Sequence, residues 1–303
     1  MKIGNRAFRA IVLVLLALAS PVRAEPGVLV LGRISDDPQR HHDQLKPLLD
    51  YVVPRMADVG IREGRILMAP DASRMTSYLR HGRVDWVTET ASTGLTLMSR
   101  ARASLLLRTE RDGVASYRGV FFVRGDSPVR SLADLRGRRL ALQSPASTSA
   151  YLLPAIALLD AGVPMEILPT TADVPRSGGV GYVFANSEAN IATWVMKGFV
   201  DAGAFSDIDL ERLRQRDARA LSLRVIGESM AAPRAMELVR ADLDPRVRER
   251  LRVVLLEASR DPAAAKALRR FFGTSGFAVP SDADRAALDV LAEAARRTRE
   301  SIE

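Results

Sequence analysis

Short apolar runs alternate with longer stretches of helical periodicity in the first third of the chain. Residues 28–31, 66–68 and 84–87 are apolar segments of strand length. Residues 44–59 repeat apolar positions at helical spacing, and residues 73–81 form a shorter segment of the same kind. This alternation predicts a mainly parallel sheet with helices on both faces.

The alternation begins again after the turn sequence Arg111-Asp112-Gly113. The later apolar segments predict further strands, and one amphipathic segment between them predicts a helix. The strands are 119–124, 139–142, 180–184 and 202–205, and the helix is 190–197. From Arg246 onward we predict only helix.

Two successive α/β patterns in one chain predict two lobes. We assign residues 25–115 and 231–303 to the first lobe and residues 116–230 to the second. The chain is expected to cross between the lobes near Ser116-Tyr117 and at 229–233. A ligand cleft between the lobes follows from this architecture.

Residues 1–24 have the three parts of a secretory signal peptide. Basic Lys2, Arg6 and Arg9 precede the apolar run 11–19, and a small residue, Ala24, marks the expected cleavage point. That run is too short to span a membrane, which takes ~20 apolar residues. The sequence contains no cysteine, which excludes disulfides and a lipid-bearing cysteine. We therefore expect a free periplasmic protein.

The net charge argues against nucleic acid as a partner. Residues 1–24 carry four basic and no acidic residues, so their removal lowers the formal charge from +8 to +4. The remaining arginines alternate with acidic residues, which is typical of solvated helix faces. The mild positive charge still favours anionic solutes.

Three hydroxyl residues, Ser147, Thr148 and Ser149, lie between an apolar strand and a helical segment. Unpaired N–H groups at a helix start, the helix dipole and short hydroxyl side chains together can bind an oxyanion. A serine before an apolar run can also simply cap the helix. Both interpretations stay open for these residues.

The segment SLADLRGRRLALQSPASTSAYLLP, the later FANSEANIATWVMKGFVDAGAFSDID and the terminal LRRFFGTSGFAVPSDAD carry a resemblance. They are similar to the periplasmic solute-binding proteins for phosphonate, phosphite and phosphate of ABC importers. The resemblance covers nearly the whole chain after residue 24. It implies the two-lobed type II periplasmic binding protein fold, with helices flanking mainly parallel sheets.

The resemblance also implies roles for individual residues. Ser147, Thr148 and Ser149 match the family's anion-binding cluster, and Ala150 stands where the family has glycine. Glu188 aligns with a family histidine that donates to the oxyanion. The family's binding tyrosines are replaced near Ala72 and within 91–94. Each of these replacements removes a hydrogen-bond donor.

A carboxylate at position 188 has three possible roles. It can accept a hydrogen bond from a protonated, singly charged oxyanion, or it can contact a cationic group on a zwitterionic ligand. It can also point away from the cleft and pair with an arginine. Close contact with a doubly charged anion is strongly unfavourable unless one of the two carries a proton.

Residues 86–94 occupy the position at which the family's first lobe presents its ligand loop. Because strand ends are where open α/β sheets bind ligands, we predict that Glu89 and Thr90 contact the ligand. Arg74 follows another predicted strand and is a candidate for a two-point contact with the anion. Caps in an ordinary turn, and a solvated arginine, are the alternatives.

The sequence gives little support for catalysis. The three histidines lie away from the serine cluster, so a hydrolase would lack its base. We predict no metal site and no cofactor.

The predicted function is a monomeric periplasmic receptor that closes over a small anionic solute and docks on an inner-membrane ABC permease. Presentation of the closed form to a membrane histidine kinase is the alternative, as is a non-phosphorus or zwitterionic ligand.

Overall fold

The computed structural model describes residues 27–176 and 178–302, and the predicted signal peptide at 1–24 lies outside the described residues. The described chain forms two six-stranded sheets flanked by helices. Within the described ranges, none of the helices is long and apolar enough to cross a membrane.

The elements follow three stretches of the chain. Residues 27–111 contain β1 (Val28–Ile34), α1 (Pro38–Val52), β2 (Glu63–Ala69), α2 (Ala72–Arg80), β3 (Trp86–Glu89), α3 (Ala91–Ala101) and β4 (Ser104–Arg111), with a 3₁₀-helical segment Val53–Val59 after α1. Residues 116–233 contain β5 (Ser116–Arg124), β6 (Arg139–Leu142), a π-helical turn (Thr148–Leu152), α4 (Leu153–Asp160), β7 (Met165–Ile167), β8 (Val180–Phe184), α5 (Glu188–Met196), β9 (Ala202–Ser206), α6 (Asp207–Arg216) and β10 (Leu223–Pro233). Residues 235–302 contain β11 (Ala235–Val239), α7 (Pro245–Ala258), α8 (Ala265–Arg270), β12 (Thr274–Ala278) and α9 (Asp282–Ile302).

The sheets are mixed. The first has the order β12-β4-β11-β3-β1-β2, in which β1 pairs in parallel with β2 and β3 while β11 and β12 pair antiparallel with their neighbours. The second has the order β10-β5-β9-β6-β8-β7 and is parallel from β9 to β7 but antiparallel at β5 and β10. The mainly parallel pairing predicted from the alternation holds for β1 to β3 and for β6 to β9, whereas β5, β10, β11 and β12 pair antiparallel.

Side-chain caps determine where several helices begin. Asp37 accepts a hydrogen bond from Arg40 N at 3.2 Å, and α1 therefore starts at Pro38, earlier than the apolar periodicity indicated. Ser187 accepts from Asn190 N at 3.1 Å and starts α5 at Glu188. The cap of α5 thus places Glu188 in the first turn.

The prediction that the chain is only helical from Arg246 onward is wrong. Helix α8 ends before Gly273, which has a φ of +67°, and the chain then enters the edge strand β12. Phe277 of this strand is buried against the first sheet, next to Phe271. The strand is short and rich in small residues, so its apolar pattern was too weak to separate it from the flanking helices.

Each sheet has an apolar core on both faces. One core continues from the first sheet to the second: Leu153 and Ile156 of α4 pack in the same buried cluster as Leu288 and Leu291 of α9. Helix α9 follows a strand of the first sheet in the chain and yet covers a helix of the second. The C-terminal helix therefore joins the two halves of the molecule.

Candidate ligand-binding cleft

In each sheet, charged and polar side chains lie together at one edge, where several strands end. In the first sheet, β1, β3 and β4 end where β11 begins, so Arg33, Glu89, Arg111 and Arg234 lie at the same edge. In the second sheet, β6, β8 and β9 end where β5 begins. The segments after those strand ends carry the serine cluster, Glu188 and Asp209, which lie at an edge with Tyr117. These are the strand-end positions at which open α/β sheets bind ligands.

The serine cluster starts a π-helical turn in front of α4. The Ser147 hydroxyl accepts a hydrogen bond from Ala150 N at 3.1 Å, so this serine caps the turn. Thr148 and Ser149 follow inside the turn and are buried. The capping alternative therefore applies to Ser147, which still has its own hydroxyl proton to donate.

Thr148 connects the serine cluster with the first sheet. Its Oγ1 accepts a hydrogen bond of 2.8 Å from the backbone N–H of Ser92, in the first turn of α3. Buried Tyr117 lies beside it: burial raises the pKa of the Tyr117 hydroxyl, and the Thr148 side chain partly opposes that rise. The segment after β3 and the segment after β6 are thus in direct contact across the cleft.

Glu89 is engaged within its own half of the molecule. Its carboxylate accepts from Ile34 N at 3.1 Å and lies 3.1 Å from Arg33 Nη1. Thr90 begins α3, two residues before Ser92, and is half-buried. Ligand contacts by Glu89 and Thr90 stay predictions, and for Glu89 the ion pair with Arg33 must first be accommodated.

Arg74 lies exposed in the first turn of α2. Its backbone N–H donates to the capping carboxylate of Asp71 at 2.7 Å. The structure does not bring its side chain together with the serine cluster or with Glu188. The predicted two-point contact of Arg74 with an anion stays a prediction, and the solvated alternative fits its position better.

Glu188 lines a cleft of about 580 Å³, together with Asp209, Arg212, Asp112 and Phe272. Burial raises the pKa of Glu188 to about 7, and the neighbouring carboxylate of Asp209 adds to the rise, against the opposing charges of Arg234 and Arg212. In the described part of the chain, Glu188 forms no ion pair within 4.0 Å. A carboxyl group with this pKa is partly protonated near neutral pH and can donate a hydrogen bond to an oxyanion.

An ion pair joins the two halves of the molecule at the rim of the cleft. Arg212 Nη2 of α6 lies 2.6 Å from Asp112 Oδ2, and Arg212 Nη1 lies 3.3 Å from Asp209 Oδ1. Asp112 follows β4 directly and has a φ of +51°. The Asp112–Arg212 contact and the Thr148–Ser92 hydrogen bond both exist only when the two halves are close together.

Two arginines of this region were not singled out from the sequence. Arg111 is 7% exposed, and its Nε and Nη2 have no hydrogen-bond partner among the described residues; Arg234 Nε likewise has none. Burial lowers the pKa of Arg111 to about 10, with the charge of Arg33 adding to the decrease, so Arg111 is still protonated at neutral pH. In a chain with 44 lysines and arginines, no local signal marks these two.

Two sheets joined by crossing segments, with strand ends and helix starts facing each other across a cleft, define a type II periplasmic binding protein. Residues 34–285 match the family model of the ABC transporter, phosphonate, periplasmic substrate-binding protein. The chain belongs to this family. The resemblance and the fold class inferred from the sequence are confirmed, and family members are substrate-binding proteins of ABC transporters, which take a small ligand and act with a membrane permease.

Solved structures agree with this assignment. XAC2383 from Xanthomonas citri, in a structure bound to ATP, is 48% identical, with 91% of this chain and 100% of that chain covered and a TM-score of 0.86. The same protein bound to chloride gives 49% identity over the same shares and a TM-score of 0.87. PhnD1 from Prochlorococcus marinus, in complex with methylphosphonate, is 17% identical over 89% of this chain and 98% of that chain, with a TM-score of 0.66, and shares the fold.

Proposed function

We propose that this protein is a periplasmic receptor that binds a small oxyanion of the phosphonate, phosphite or phosphate type between its two lobes. The lobes are residues 25–115 with 231–303, and residues 116–230. The mature protein begins at Glu25 after signal-peptide cleavage and is a monomer. Its partner is the permease of an ABC importer, and it has no catalytic activity of its own.

The observation that carries this proposal is the position of the serine cluster. Thr148 and Ser149 are buried at the start of a helical segment and lie across the cleft from the first turn of α3, with the Thr148–Ser92 hydrogen bond at 2.8 Å. Two helix starts and short hydroxyl side chains therefore meet at this point, and the helix dipoles and hydroxyl donors favour an oxyanion. Binding to both walls favours the closed state of the two lobes.

Glu188 supplies the donor that the resemblance assigned to a histidine. With a pKa of about 7, its carboxyl group carries a proton for much of the time near neutral pH. A protonated Glu188 can donate to a ligand oxygen, whereas an ionised Glu188 repels it or attracts a cationic group. The first case supports a phosphorus oxyanion, and the second supports the alternative of a zwitterionic or non-phosphorus solute.

A nucleotide is a second candidate ligand. XAC2383, 48% identical to this chain, has been solved bound to ATP. The cleft of about 580 Å³ has two aromatic side chains in its lining, Phe205 and Phe272, next to Arg212 and Arg216. Clefts of this size hold compounds larger than a bare oxyanion. In this case the serine cluster binds a phosphate group of the nucleotide.

Isothermal titration calorimetry and thermal unfolding of the chain from Glu25 test these ligands. The panel contains phosphate, phosphite, methylphosphonate, aminoethylphosphonate, sulfate, ATP and small amino acids. A ligand that binds the folded state raises the melting temperature according to RT ln(1 + [L]/Kd). Saturable binding of one phosphorus compound, with no turnover of it, supports the proposal. Binding of only sulfate or amino acids contradicts it.

Ser149→Ala is the variant that tests the site, with Ser301→Ala at an exposed position of α9 as the matched control. Loss of one hydrogen bond to a charged ligand reduces affinity by about 10- to 100-fold. If the Ser149→Ala variant, the control and the unmodified protein bind the ligand with equal affinity, the serine cluster is not part of the binding site. The importer and kinase roles are distinguished by whether the closed protein stimulates ATP hydrolysis by its permease.

A further inference from the structure

We propose that Arg111 and Arg234 form an arginine wall beside the cleft, next to its lining residue Phe272, that this wall binds the oxyanion, with Arg111 contacting two of its oxygens, and that the ligand is bound as a dianion. This inference rests on the proposed function. It adds two residues that neither the sequence pattern nor the family resemblance indicated, and it specifies the charge of the ligand.

Arg111 is buried, with 7% of its surface exposed, and its Nε and Nη2 lack hydrogen-bond partners among the described residues. Buried donors of this kind are rare, because a charged group that loses its water without gaining a hydrogen bond strongly destabilises the folded state. The free energy lost in this way is recovered when a ligand supplies the missing acceptors.

The two unpaired donors of Arg111 lie side by side on its guanidinium group. The N–H groups of Nε and Nη2 point to the same side of a guanidinium group and form the fork that binds two oxygens of one anion. Arg111 therefore presents a complete two-point donor edge, and Arg234 adds a third donor through its Nε. A fork with this spacing matches a tetrahedral oxyanion, whereas a spherical halide would leave its geometry unused.

The carboxylates Glu89 and Glu237 near this edge of the first sheet already have partners. Arg33 is paired with Glu89 at 3.1 Å. Glu237, the carboxylate that acts on Arg111, is fully buried and already accepts hydrogen bonds from Trp86, Thr88 and Thr109.

Neither Arg111 nor Arg234 forms an ion pair within 4.0 Å in the part of the chain that the structure describes. Burial raises the pKa of Glu237 despite its three donors, so burial disfavours the negative charge of this carboxylate. Two guanidinium groups without an ion pair therefore remain, and a dianion can pair with both.

Both arginines lie where the chain passes between the two sheets. Arg111 is the last residue of β4, and Arg234 lies between β10 and β11, so each belongs to a segment that crosses between the lobes. The crossing segments are joined directly, because Arg234 N donates to Ala115 O at 2.9 Å. An anion bound here contacts the hinge itself.

Aromatic rings hold both guanidinium groups in place. Arg234 Cζ lies 5.0 Å from the centroid of the Tyr117 ring, and Arg111 Cζ lies 4.8 Å from that of Phe272. Phe272 has a φ of +54°, a conformation that a bulky residue rarely adopts and that often occurs at binding sites. Since Tyr117 also adjoins Thr148, the arginine wall meets the serine cluster at this tyrosine.

The test compares Arg111→Lys, Arg111→Met and Arg234→Gln with Arg100→Gln, a control at an exposed position of α3. Calorimetry uses methylphosphonate, which can carry two charges, and dimethylphosphinate, a tetrahedral anion with one. The unmodified protein is expected to prefer the dianion. Arg111→Lys keeps the charge but loses the fork and is expected to lower methylphosphonate affinity by about tenfold or more. Arg111→Met is expected to abolish the preference for the dianion.

A stability measurement separates this role from a structural one. A buried arginine that serves ligand binding destabilises the ligand-free protein. Without ligand, the unfolding temperature of Arg111→Met should therefore be equal to or higher than that of the unmodified protein. A markedly lower unfolding temperature would show that Arg111 supports the fold, and the inference would be wrong.

The two proposals fail in different ways. If Ser149→Ala lowers oxyanion affinity while the Arg111 and Arg234 variants bind like the Arg100→Gln control, the proposed function stands and the arginine wall does not. Equal affinity of the unmodified protein for methylphosphonate and dimethylphosphinate would refute the proposal that the ligand is bound as a dianion. If the unmodified protein binds no oxyanion, the proposed function and this inference are both refuted.

Discussion

Replacing Glu188 by glutamine should make the folded protein more stable above neutral pH. The substitution keeps the shape of the side chain and mimics its protonated form. The pKa of Glu188 is raised from 4.5 to about 7, firstly by burial and secondly by the carboxylate of Asp209, while Arg234 and Arg212 act in the opposite direction. The ionised form of Glu188 is therefore unfavourable in the folded protein.

The size of the effect follows from the pKa. A rise from 4.5 to about 7 corresponds to up to about 3 kcal/mol between the two protonation states. Below the unfolded pKa, Glu188 is protonated in both the folded and the unfolded state and has no cost. As the pH increases, the unfolded state ionises first, and the stability contributed by the protonated group decreases until the folded pKa is passed. The full cost is reached above neutral pH.

Chemical denaturation between about pH 4 and about pH 8 measures this difference. Other groups titrate in the same range, so the quantity to compare is the difference in unfolding free energy between the unmodified protein and Glu188→Gln at each pH. The two should be alike at the acidic end, and the variant should be more stable by up to about 3 kcal/mol at the alkaline end. Glu211→Gln, at a side chain 61% exposed on α6, is the control and should follow the unmodified protein.

A difference between Glu188→Gln and the unmodified protein that does not change with pH would refute this reasoning. A variant that is less stable at about pH 8 would also refute it, because that result requires an attractive ionic contact for Glu188. The same proteins report on the ligand: affinity of the unmodified protein for an oxyanion should decrease as Glu188 ionises, and Glu188→Gln should lack that component.

Three further substitutions test parts of the closed structure. Asp112→Asn breaks the ion pair with Arg212; the side chains of Asp112 and Arg212 are 50% and 34% exposed, so the unfolding free energy should change by less than about 1 kcal/mol. Stopped-flow measurements should show faster ligand release, because this pair joins the two halves at the rim of the cleft. An unchanged release rate would show that the pair does not help to hold the halves together. Ser147→Ala removes the cap of the π-helical turn and should lower the unfolding free energy by about 1 kcal/mol. Calorimetry should show a smaller loss of ligand affinity for Ser147→Ala than for Ser149→Ala. A larger loss for Ser147→Ala would show that Ser147 is the main ligand contact. Gly273→Ala puts a side chain on a backbone with a φ of +67° and places its Cβ 2.7 Å from Asp112 Oδ1. Thermal unfolding should therefore show that the variant is less stable by about 1 to 2 kcal/mol. A variant as stable as the unmodified protein would contradict this close approach.

The serine cluster could be found from the sequence because its signal is local. A strand, three hydroxyl residues and a helix follow one another within one short segment, and the structure keeps them together. The cap at Ser187 places Glu188 at a second helix start in the same local way. Strands β1 to β3 were likewise indicated by alternation with helices.

The arginine wall could not be found in this way because it is assembled from distant parts of the chain. Arg111 ends β4 and Arg234 precedes β11, and these strands become neighbours only through antiparallel pairing. An antiparallel pair such as this one needs no connecting helix, so the αβ alternation contains no information about it. The register of the first sheet is what brings the two arginines together.

The same register explains why, among the described residues, Glu89 has an ion pair and Glu188 has none. Glu89 ends β3 beside β1, where Arg33 is within 3.1 Å, so a carboxylate at this strand end is neutralised before any ligand arrives. Glu188 ends up in the second lobe with Asp209 as its neighbour and without an ion pair of its own among the described residues. The cleft is consequently asymmetric, with unpaired guanidinium groups at the edge of one sheet and acidic groups at the edge of the other. An anion that binds the arginines meets the second lobe most favourably when Glu188 is protonated, so ligand charge and proton uptake are expected to act together in closing the lobes.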